Sequence, residues 1–521
     1  MRRSHSILLL WSLLLLAQAS LAGAETRPNI IWIFSDDHAF QTIGAYQGRF
    51  AHLDPSPNID RLAREGMRFD RSYVCNSICG PARAAILTGK HSHLNGFMDN
   101  KSRFDGSQQT FPKLLRQAGY LTAVIGKWHL ASEPTGFDHW DILPGQGHYY
   151  NPDFINAGGK YREPGYVTEI ITEKTLKWLE DRDASKPFML MMQHKAPHRE
   201  WSPAPKYLTL YDDVTMPEPD NLFDDYSNRA SPAMNQDLSL AKTMTYGKDL
   251  KIQERDEKDT LKKRVIGRMS AAQRKAWNAA YQPKNEAFLA ANLKGEDLVR
   301  WKYQRYLKDY LRCTKSVDDS VGEVMDWLEE AGLAENTIVF YSSDQGFYMG
   351  EHGWFDKRFM YEESFRTPLV ARWPSKVPAG SVNEDLVQNI DMASTFLELA
   401  GVDRPSDLQG VSVVPLLKGQ SPSQWRDLLY YHYYEYPGHH SVRRHEGVFD
   451  SRFKLIRFYG KGVQGGEEWE FFDLEKDPSE MNSVYSNPEY APKVEEMKIK
   501  LAELRTKYQV TEENTRVRKS G

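Results

Sequence analysis

The sequence predicts an α/β fold with a largely parallel central sheet, followed by a smaller α+β domain with an antiparallel sheet. Short apolar runs such as 29–34 and 188–192 lack polar alternation, which is typical of parallel strands covered on both faces. Helix-like segments separate these runs, as expected for a sheet flanked by helices. Tyr- and Phe-rich runs after residue 420 predict the smaller domain.

The elements of the large domain alternate regularly along the chain. The sequence predicts strands at 29–34, 121–125, 188–192 and 336–341 and helices at 58–65, 81–88, 110–118 and 174–179. Parallel sheets carry their functional sites at the carboxyl ends of their strands. Polar residues that directly follow these strands are therefore the first candidates for a site.

Residues 205–310 interrupt this alternation. They are polar, with Lys and Glu clustered around 251–263 and helical patterns at 271–291 and 297–311. The pattern predicts a long, partly helical surface insertion, either a solvated charged face or a wall that faces the substrate.

A Gly- and Ser-rich linker at 419–423 divides the predicted catalytic domain, 25–420, from the C-terminal α+β domain, 421–521. The smaller domain is predicted to contain strands at 428–434, 446–450, 453–458 and 469–473 and a helix at 491–508.

Composition excludes several classes of protein. The chain has 521 residues, a formal net charge of −4 and 26% charged residues, so it lacks the basic excess of a nucleic-acid-binding protein. Residues 1–24 predict a cleaved signal peptide, with Arg2 and Arg3, a Leu-rich core and an Ala22-Gly23-Ala24 exit. We expect an exported protein, periplasmic or secreted, with no transmembrane segment after cleavage.

The three cysteines, Cys75, Cys79 and Cys313, are too few for a disulfide scaffold. Cys75 and Cys313 could pair or remain buried thiols, and the sequence leaves both possibilities open.

The run that begins at Cys79 predicts a helix whose N-terminus carries this cysteine. Pro81 suits the first helical position, the neighbouring alanines favour a helix, and Gly89 suits its end. Free amides at a helix N-terminus favour an anion. The alternative is an ordinary core helix preceded by a buried cysteine.

Acidic and amide side chains follow two predicted strands. Asp36 and Asp37 come after the first strand, and Asp344 and Gln345 follow strand 336–341. Adjacent carboxylates are costly unless they share a cation or protons, and oxygen ligands suit calcium or magnesium. Turns or helix caps are the alternative explanation for these residues.

The pattern C-x-P-x-R followed by L-T-G, at 79–89, resembles the signature of type I sulfatases. Three further runs resemble motifs of that family: Gly126-Lys127-Trp128-His129-Leu130, Ala196-Pro197-His198 and the stretch 350–357. Within this family, the segments 143–152, 277–311 and 439–445 look similar to bacterial carbohydrate sulfatases of the N-acetylglucosamine-6-sulfatase-like group. The resemblance implies an alkaline-phosphatase-like large domain.

The resemblance also implies the chemistry of residue 79. In this family a formylglycine-generating enzyme converts the cysteine to Cα-formylglycine, whose hydrate attacks sulfur. The resemblance places Ca²⁺ on Asp36, Asp37, residue 79, Asp344 and Gln345; Asn is the commoner last ligand, so Gln345 departs from the family.

Further roles carry over from the resemblance. Arg83, Lys127 and Lys357 are expected to neutralise the sulfuryl oxygens. His198 is the expected proton donor to the leaving alcohol, and His129 the expected proton acceptor when the aldehyde is restored.

Two segments are candidates for contacts with the leaving group. The aromatic and polar run 143–152 includes His148 and Tyr149, and the small domain offers His439 and His445. A sugar-binding wall and ordinary loop packing both remain open for these residues. The expected substrate is a sulfated polysaccharide or glycosaminoglycan fragment, with 6-O-sulfated N-acetylglucosamine preferred.

Three alternatives remain at this level. The first is an algal-glycan or aryl sulfatase. The second is a sulfated-glycan binding protein that keeps Cys79 unmodified. The third is a phosphomonoesterase, which the absence of histidine at the predicted metal positions disfavours.

Overall fold

The computed structural model describes residues 27–374 and 376–516. The predicted signal peptide, 1–24, lies outside this range. A mixed ten-stranded sheet forms the centre of the large domain, and a separate four-stranded sheet forms the C-terminal domain. In spatial order, the strands of the large sheet are Ser381–Asn383, Met67–Phe69, Leu369–Arg372, Thr337–Ser343, Asn29–Ser35, Phe188–Gln193, Leu121–Lys127, His139–Leu143, Asp153–Asn156 and Gly159–Arg162.

Five central strands of this sheet are parallel. Asn29–Ser35 pairs in parallel with Phe188–Gln193 and with Thr337–Ser343, so that Phe34 lies opposite Gln193 and Ser35 lies opposite Ser343. Most of the edge strands pair antiparallel. The predicted parallel core is confirmed, and this register brings the carboxyl ends of its strands to one edge.

Helices cover both faces of the sheet. Along the first strand, Ile31 and Ile33 join one hydrophobic cluster, whereas Ile30 and Trp32 join the other. Burial on both faces explains why this segment is apolar throughout. The longer helices of the large domain are Pro57–Arg64, Cys79–Thr88, Phe111–Gln117, Val167–Asp181, Ala271–Ala291, Gly295–Glu330 and Asp391–Leu399.

The prediction of a surface insertion at 205–310 is wrong in part. The helix Ala271–Ala291 has the predicted bounds, but the next helix runs from Gly295 to Glu330 and packs on the large domain. Leu250, Trp277 and Tyr281 are fully buried in the main hydrophobic cluster. The burial of this segment depends on the spacing of its apolar residues along the helices, and not on its average polarity.

The C-terminal domain has the predicted α+β architecture. Its antiparallel strands follow chain order and are Leu429–Tyr433, His445–Phe449, Phe453–Tyr459 and Glu467–Asp473. The helix Ala491–Lys507 packs on this sheet through Met497 and Leu501. The division of the chain at residue 420 stays a prediction. Within the described residues, the structure contains no helix long and apolar enough to cross a membrane.

Candidate active site

The carboxyl ends of two adjacent strands bring three aspartates together. Asp36 and Asp37 follow Asn29–Ser35, and Asp344 follows Thr337–Ser343. All three are fully buried, and one carboxylate oxygen from each lies within 4.8 Å of the others. The backbone N–H of Asp37 donates to Oδ1 of Asp344 at 3.0 Å. The carboxyl ends of these two strands therefore place three carboxylates side by side.

The oxygen atoms of this cluster fit a hard cation. Asp36 Oδ1, Asp37 Oδ2 and Gln345 Oε1 are buried without a hydrogen-bond partner. Burial raises the pKa of Asp37 to about 6, and burial together with the charge of Asp36 raises the pKa of Asp344. Unpaired buried oxygens are costly, and a calcium ion accepts six to eight oxygen ligands of this kind. The residues therefore fit the implied ion.

Cys79 lies at the N-terminus of the helix Cys79–Thr88, which begins two residues before Pro81, the predicted first helical position. Ile78 has extended backbone angles before it, and Gly89 ends the helix with φ 64°. The Sγ of Cys79 lies within 4.8 Å of atoms of Asp36 and His198. Burial raises the pKa of this thiol, so an unmodified Cys79 would remain protonated and a weak nucleophile at neutral pH.

Three cations surround the acidic cluster. Arg83 donates to Asp344 Oδ2 from Nη2 at 2.9 Å and to the Lys127 carbonyl from Nη1 at 2.7 Å. Lys127 forms an ion pair with Asp36, and Lys357 Nζ lies 2.5 Å from Asp37 Oδ1. Burial alone would lower the pKa of Lys357, but Asp37 raises it well above the usual value. The three positive charges therefore offset the three carboxylates, and charged groups of both signs lie close together in the site.

Two histidines lie close to the acidic cluster. His198 Nδ1 donates to the Arg199 carbonyl, which fixes the tautomer and turns Nε2 to within 3.8 Å of Asp37 Oδ2. His129 has a left-handed backbone, φ 54°, and a buried Nδ1 without a hydrogen-bond partner. Burial lowers the pKa of both imidazoles well below the usual value. Both rings are therefore neutral at pH 7 in this arrangement.

Three residues of the site did not appear among the sequence candidates. Gln193 Oε1 accepts from Arg83 Nη1 at 2.7 Å, and Gln146 Oε1 accepts from Lys127. Lys195 Nζ is buried without a hydrogen-bond partner, and burial lowers its pKa to about 8. Gln193 and Lys195 lie at the end of a parallel strand, the position that selected Asp36 and Asp344.

Two of the four candidate sugar contacts are fully buried. The Tyr149 hydroxyl donates to the His198 carbonyl at 2.6 Å. His445 lies among Phe359, Tyr431 and Phe458. Both side chains pack against aromatic neighbours, and their contact with a sugar stays a prediction.

The other two candidates remain accessible. His148 is half-buried, and burial lowers its pKa to about 4. His439 is exposed near the segment that carries Lys357. His440, beside it, has Nε2 3.3 Å from Asp356 Oδ2. Residues 439–440, and not His445, are therefore the part of the small domain that lies close to the Lys357 segment.

Polar groups next to Lys357 extend the site beyond the acidic cluster. Asp356 and Arg358 are buried, and Arg358 Nε and Nη1 have no hydrogen-bond partner. The Arg358 backbone is strained, with φ 103°. Its carbonyl accepts from the Tyr431 hydroxyl of the small domain at 2.5 Å, so the C-terminal domain supports this segment directly.

All three cysteines are free and buried. The structure therefore contains no bond between Cys75 and Cys313, which settles the possibility that the sequence left open.

Comparison with known proteins agrees with this geometry. Residues 28–402 match the family described as "Sulfatase", and residues 350–507 match "N-sulphoglucosamine sulphohydrolase, C-terminal". The chain is 49% identical to an N-acetylglucosamine-6-O-sulfatase of Bacteroides thetaiotaomicron, over 97% of this chain and 92% of the relative. It is 28% identical to the human N-acetylglucosamine-6-sulfatase, over 78% of this chain and 67% of that protein.

One solved structure is similar over almost the whole chain. It is described as a complex with its substrate, D-glucosamine-2-N,6-O-disulfate, and has a TM-score of 0.90 and 48% sequence identity. The match covers 94% of this chain and 99% of that chain.

Proposed function

The chain belongs to the sulfatase family, and from this premise we propose that it hydrolyses the 6-O-sulfate ester of a glucosamine residue in a sulfated carbohydrate. Membership of a family of sulfuric ester hydrolases argues against the alternative that the chain only binds sulfated glycans and does not turn them over. The observation that supports the 6-O position most directly is the 49% identity, over 97% of the chain, to an N-acetylglucosamine-6-O-sulfatase.

Residue 79 occupies the position of the nucleophile in this proposal. The Cys79 thiol stands where formylglycine would be after maturation, and the hydrated aldehyde would supply a nucleophilic oxygen at a helix N-terminus. Asp36, Asp37, Asp344 and Gln345 would hold calcium, which would neutralise charge on the sulfuryl oxygens. Maturation would require a formylglycine-generating enzyme, and the predicted signal peptide supports export to the periplasm or medium.

The cations of the chain bind and orient the sulfate group. Arg83 is fixed by Asp344 and Gln193, and Lys127 is fixed by Asp36 and Gln146. Because these side chains are already held by hydrogen bonds, they need no reorganisation when negative charge develops on the sulfuryl oxygens. Lys357 adds a third cation, which is paired with Asp37.

The two histidines are suited to move protons. The Arg199 carbonyl occupies Nδ1 of His198, so Nε2 is the atom available to the leaving oxygen. A bound sulfate ester places negative charge beside this ring and raises its pKa, which allows Nε2 to carry a proton. His129 remains neutral and is suited to accept a proton from the residue-79 hydroxyl.

Asp356, Arg358 and His440 are suited to recognise the sugar. The unpartnered Nε and Nη1 of Arg358 need acceptors, and sugar hydroxyls provide them. A carboxylate and a guanidinium side by side can accept from and donate to adjacent hydroxyls of one pyranose ring.

A second candidate function is removal of the N-sulfo group. The match of residues 350–507 to the C-terminal part of N-sulphoglucosamine sulphohydrolase favours it. Glucosamine that carries both sulfates separates the two functions in one experiment, because mass spectrometry and NMR identify which sulfate is lost.

The decisive assay uses matured enzyme with glucosamine-2-N,6-O-disulfate, 6-O-sulfo-N-acetylglucosamine, the 3-O- and 4-O-sulfated isomers and an aryl sulfate. We expect sulfate release from position 6 of the first two compounds only, and none from the Cys79→Ala variant. Loss of the N-sulfo group, or equal turnover of the isomers, would refute the proposal.

A further inference from the structure

A cavity of about 620 Å³ lies far from the reacting centre, where the large and small domains meet. Its walls come from the loop 404–411, the segment 424–426 and the end of the C-terminal helix at 507–509, together with Lys90. Lys90 follows the C-terminal end of the helix that Cys79 begins. Since a helix rises about 1.5 Å per residue, this helix is roughly 15 Å long, and the cavity lies beyond the end opposite to residue 79.

The charge of this cavity differs from that of the whole chain. Four cations line it, and the single lining carboxylate is Asp407; the cations are Lys90, Arg404, Arg426 and Lys507. The chain as a whole has a formal net charge of −4. Positive charge is therefore concentrated here, although the chain has an acidic excess.

Two of these cations have no acidic partner among the described residues. Lys90 pairs with Asp407 and Arg426 with Asp391. Arg404 is exposed and donates only to the Leu408 carbonyl, and Lys507 is exposed and lies over the Tyr508 ring. These two side chains are free to bind an anion from solvent.

The remaining lining suits a sugar. Trp425 is half-buried and adds an aromatic ring, and Gln409 and Gln424 add amide groups. The volume lies within the range of about 300–1,000 Å³ typical of ligand sites. Arginine recognises sulfate and carboxylate through paired N–H donors.

We propose that this cavity is an accessory binding site for an anionic sugar unit, sulfated or carboxylated, of the polymeric substrate. The proposal rests on the proposed function, because the ligand belongs to the class of carbohydrate that the enzyme desulfates. A chain held here and at the reacting centre is bound at two points, which raises the local concentration of its sulfated ends.

The test compares a short substrate with a long one. Arg404→Gln/Lys507→Gln enzyme is assayed on 6-O-sulfo-N-acetylglucosamine and on a sulfated glucosamine-containing hexasaccharide. We expect unchanged kinetics on the monosaccharide and a KM at least about fivefold higher on the hexasaccharide. Lys160→Gln/Lys177→Gln, which removes two exposed cations from another surface, should leave both within about twofold.

A binding measurement separates charge recognition from turnover. In a Cys79→Ala background, calorimetry with the sulfated hexasaccharide, an unsulfated uronate-containing hexasaccharide and a neutral hexasaccharide identifies the anion. We expect binding of one or both anionic chains, weakened by Arg404→Gln/Lys507→Gln, and none of the neutral chain. Equal effects of the test and control pairs, or no effect of either, would overturn the proposal.

Lys507 also lies in the last turn of its helix, where a cation stabilises the helix dipole. Thermal unfolding of every variant therefore accompanies the assays. Val411→Glu is a second variant, since Val411 lines the cavity, is 42% exposed and would add a repelling charge without loss of packing. If monosaccharide desulfation fails while hexasaccharide binding still depends on this cavity, the proposed function fails and the accessory site stands.

Discussion

The guanidinium of Arg83 holds the carboxylate of Asp344 with two donors, Nε at 3.2 Å and Nη2 at 2.9 Å. This pair joins the helix of residue 79 to a strand end of the central sheet. Asp344 therefore connects the position of the nucleophile with the acidic cluster, and changes on either side should affect the other.

Arg83→Lys should lower kcat/KM by about 10²–10³-fold, because the single nitrogen of lysine cannot occupy the positions from which Nε, Nη1 and Nη2 reach Asp344, Gln193 and the Lys127 carbonyl. Steady-state kinetics on the 6-O-sulfated monosaccharide measures the loss. Arg116→Lys, an exposed arginine that pairs with Asp138, is the control and should retain full activity. Similar activity of the two variants would contradict the role given to Arg83.

Cys79→Ala should abolish turnover while the fold is retained, since alanine fits the first turn of the helix. Intact mass of the residue-79 peptide should show that the active wild-type protein is lighter than the thiol form, by exchange of sulfur for oxygen and loss of two hydrogens. An active protein that contains only the thiol would rule out the formylglycine assignment.

Calcium should stabilise the folded protein, because Asp36 Oδ1, Asp37 Oδ2 and Gln345 Oε1 lack partners without it. We expect the Tm to rise with calcium concentration and to fall after chelation, by mass action on the folded state. Asp344→Asn should reduce this dependence. A Tm that is unaffected by calcium in wild-type protein would argue against the ion.

Burial raises the pKa of Glu470 from 4.5 to about 7. The folded protein therefore keeps this proton between about pH 4.5 and 7, where the unfolded chain has lost it, and stability falls as pH rises through that window. The fall is at most about 3 kcal/mol. Urea unfolding at pH 5 and 7.5 should show a smaller pH difference for Glu470→Gln than for wild type. Equal differences would show that Glu470 does not titrate in this window.

Lys195→Met should stabilise the protein and weaken substrate binding. Burial lowers the pKa of Lys195 to about 8, so below that pH its charge costs folding free energy, roughly 1–3 kcal/mol, that methionine avoids. The same charge attracts an anionic substrate to the site, so KM should rise. A variant with lower stability or unchanged KM would oppose this interpretation.

Much of the fold follows from local pattern. Apolar runs without alternation identified the central parallel strands, and Gly89 identified the end of the helix of residue 79. The convergence of Asp36 and Asp344 was predictable because both follow parallel strands, whose ends share one edge. The sequence could not determine which strands are neighbours, and that order brings Gln193 close to Arg83.

Side-chain burial is what the sequence could not predict. Tyr149 lies in an aromatic, polar run that suggested a sugar-binding wall, yet its ring stacks on Tyr166 and its hydroxyl supports the His198 loop. His445 lies on a strand whose facing was set by packing against Phe359 and Phe458. Such burial depends on partners that are distant in the chain.

Every residue of the helix Cys79–Thr88 is buried, and Cys79 itself is 1% exposed. In the finished fold this side chain is closed off from any macromolecule that would modify it. If residue 79 is converted as we propose, the conversion would have to precede closure of the sheet and helices around it. Protein that folds before this step would be trapped as a stable but inactive product. The yield of active enzyme would then depend on the rate of conversion of residue 79 relative to the rate of folding.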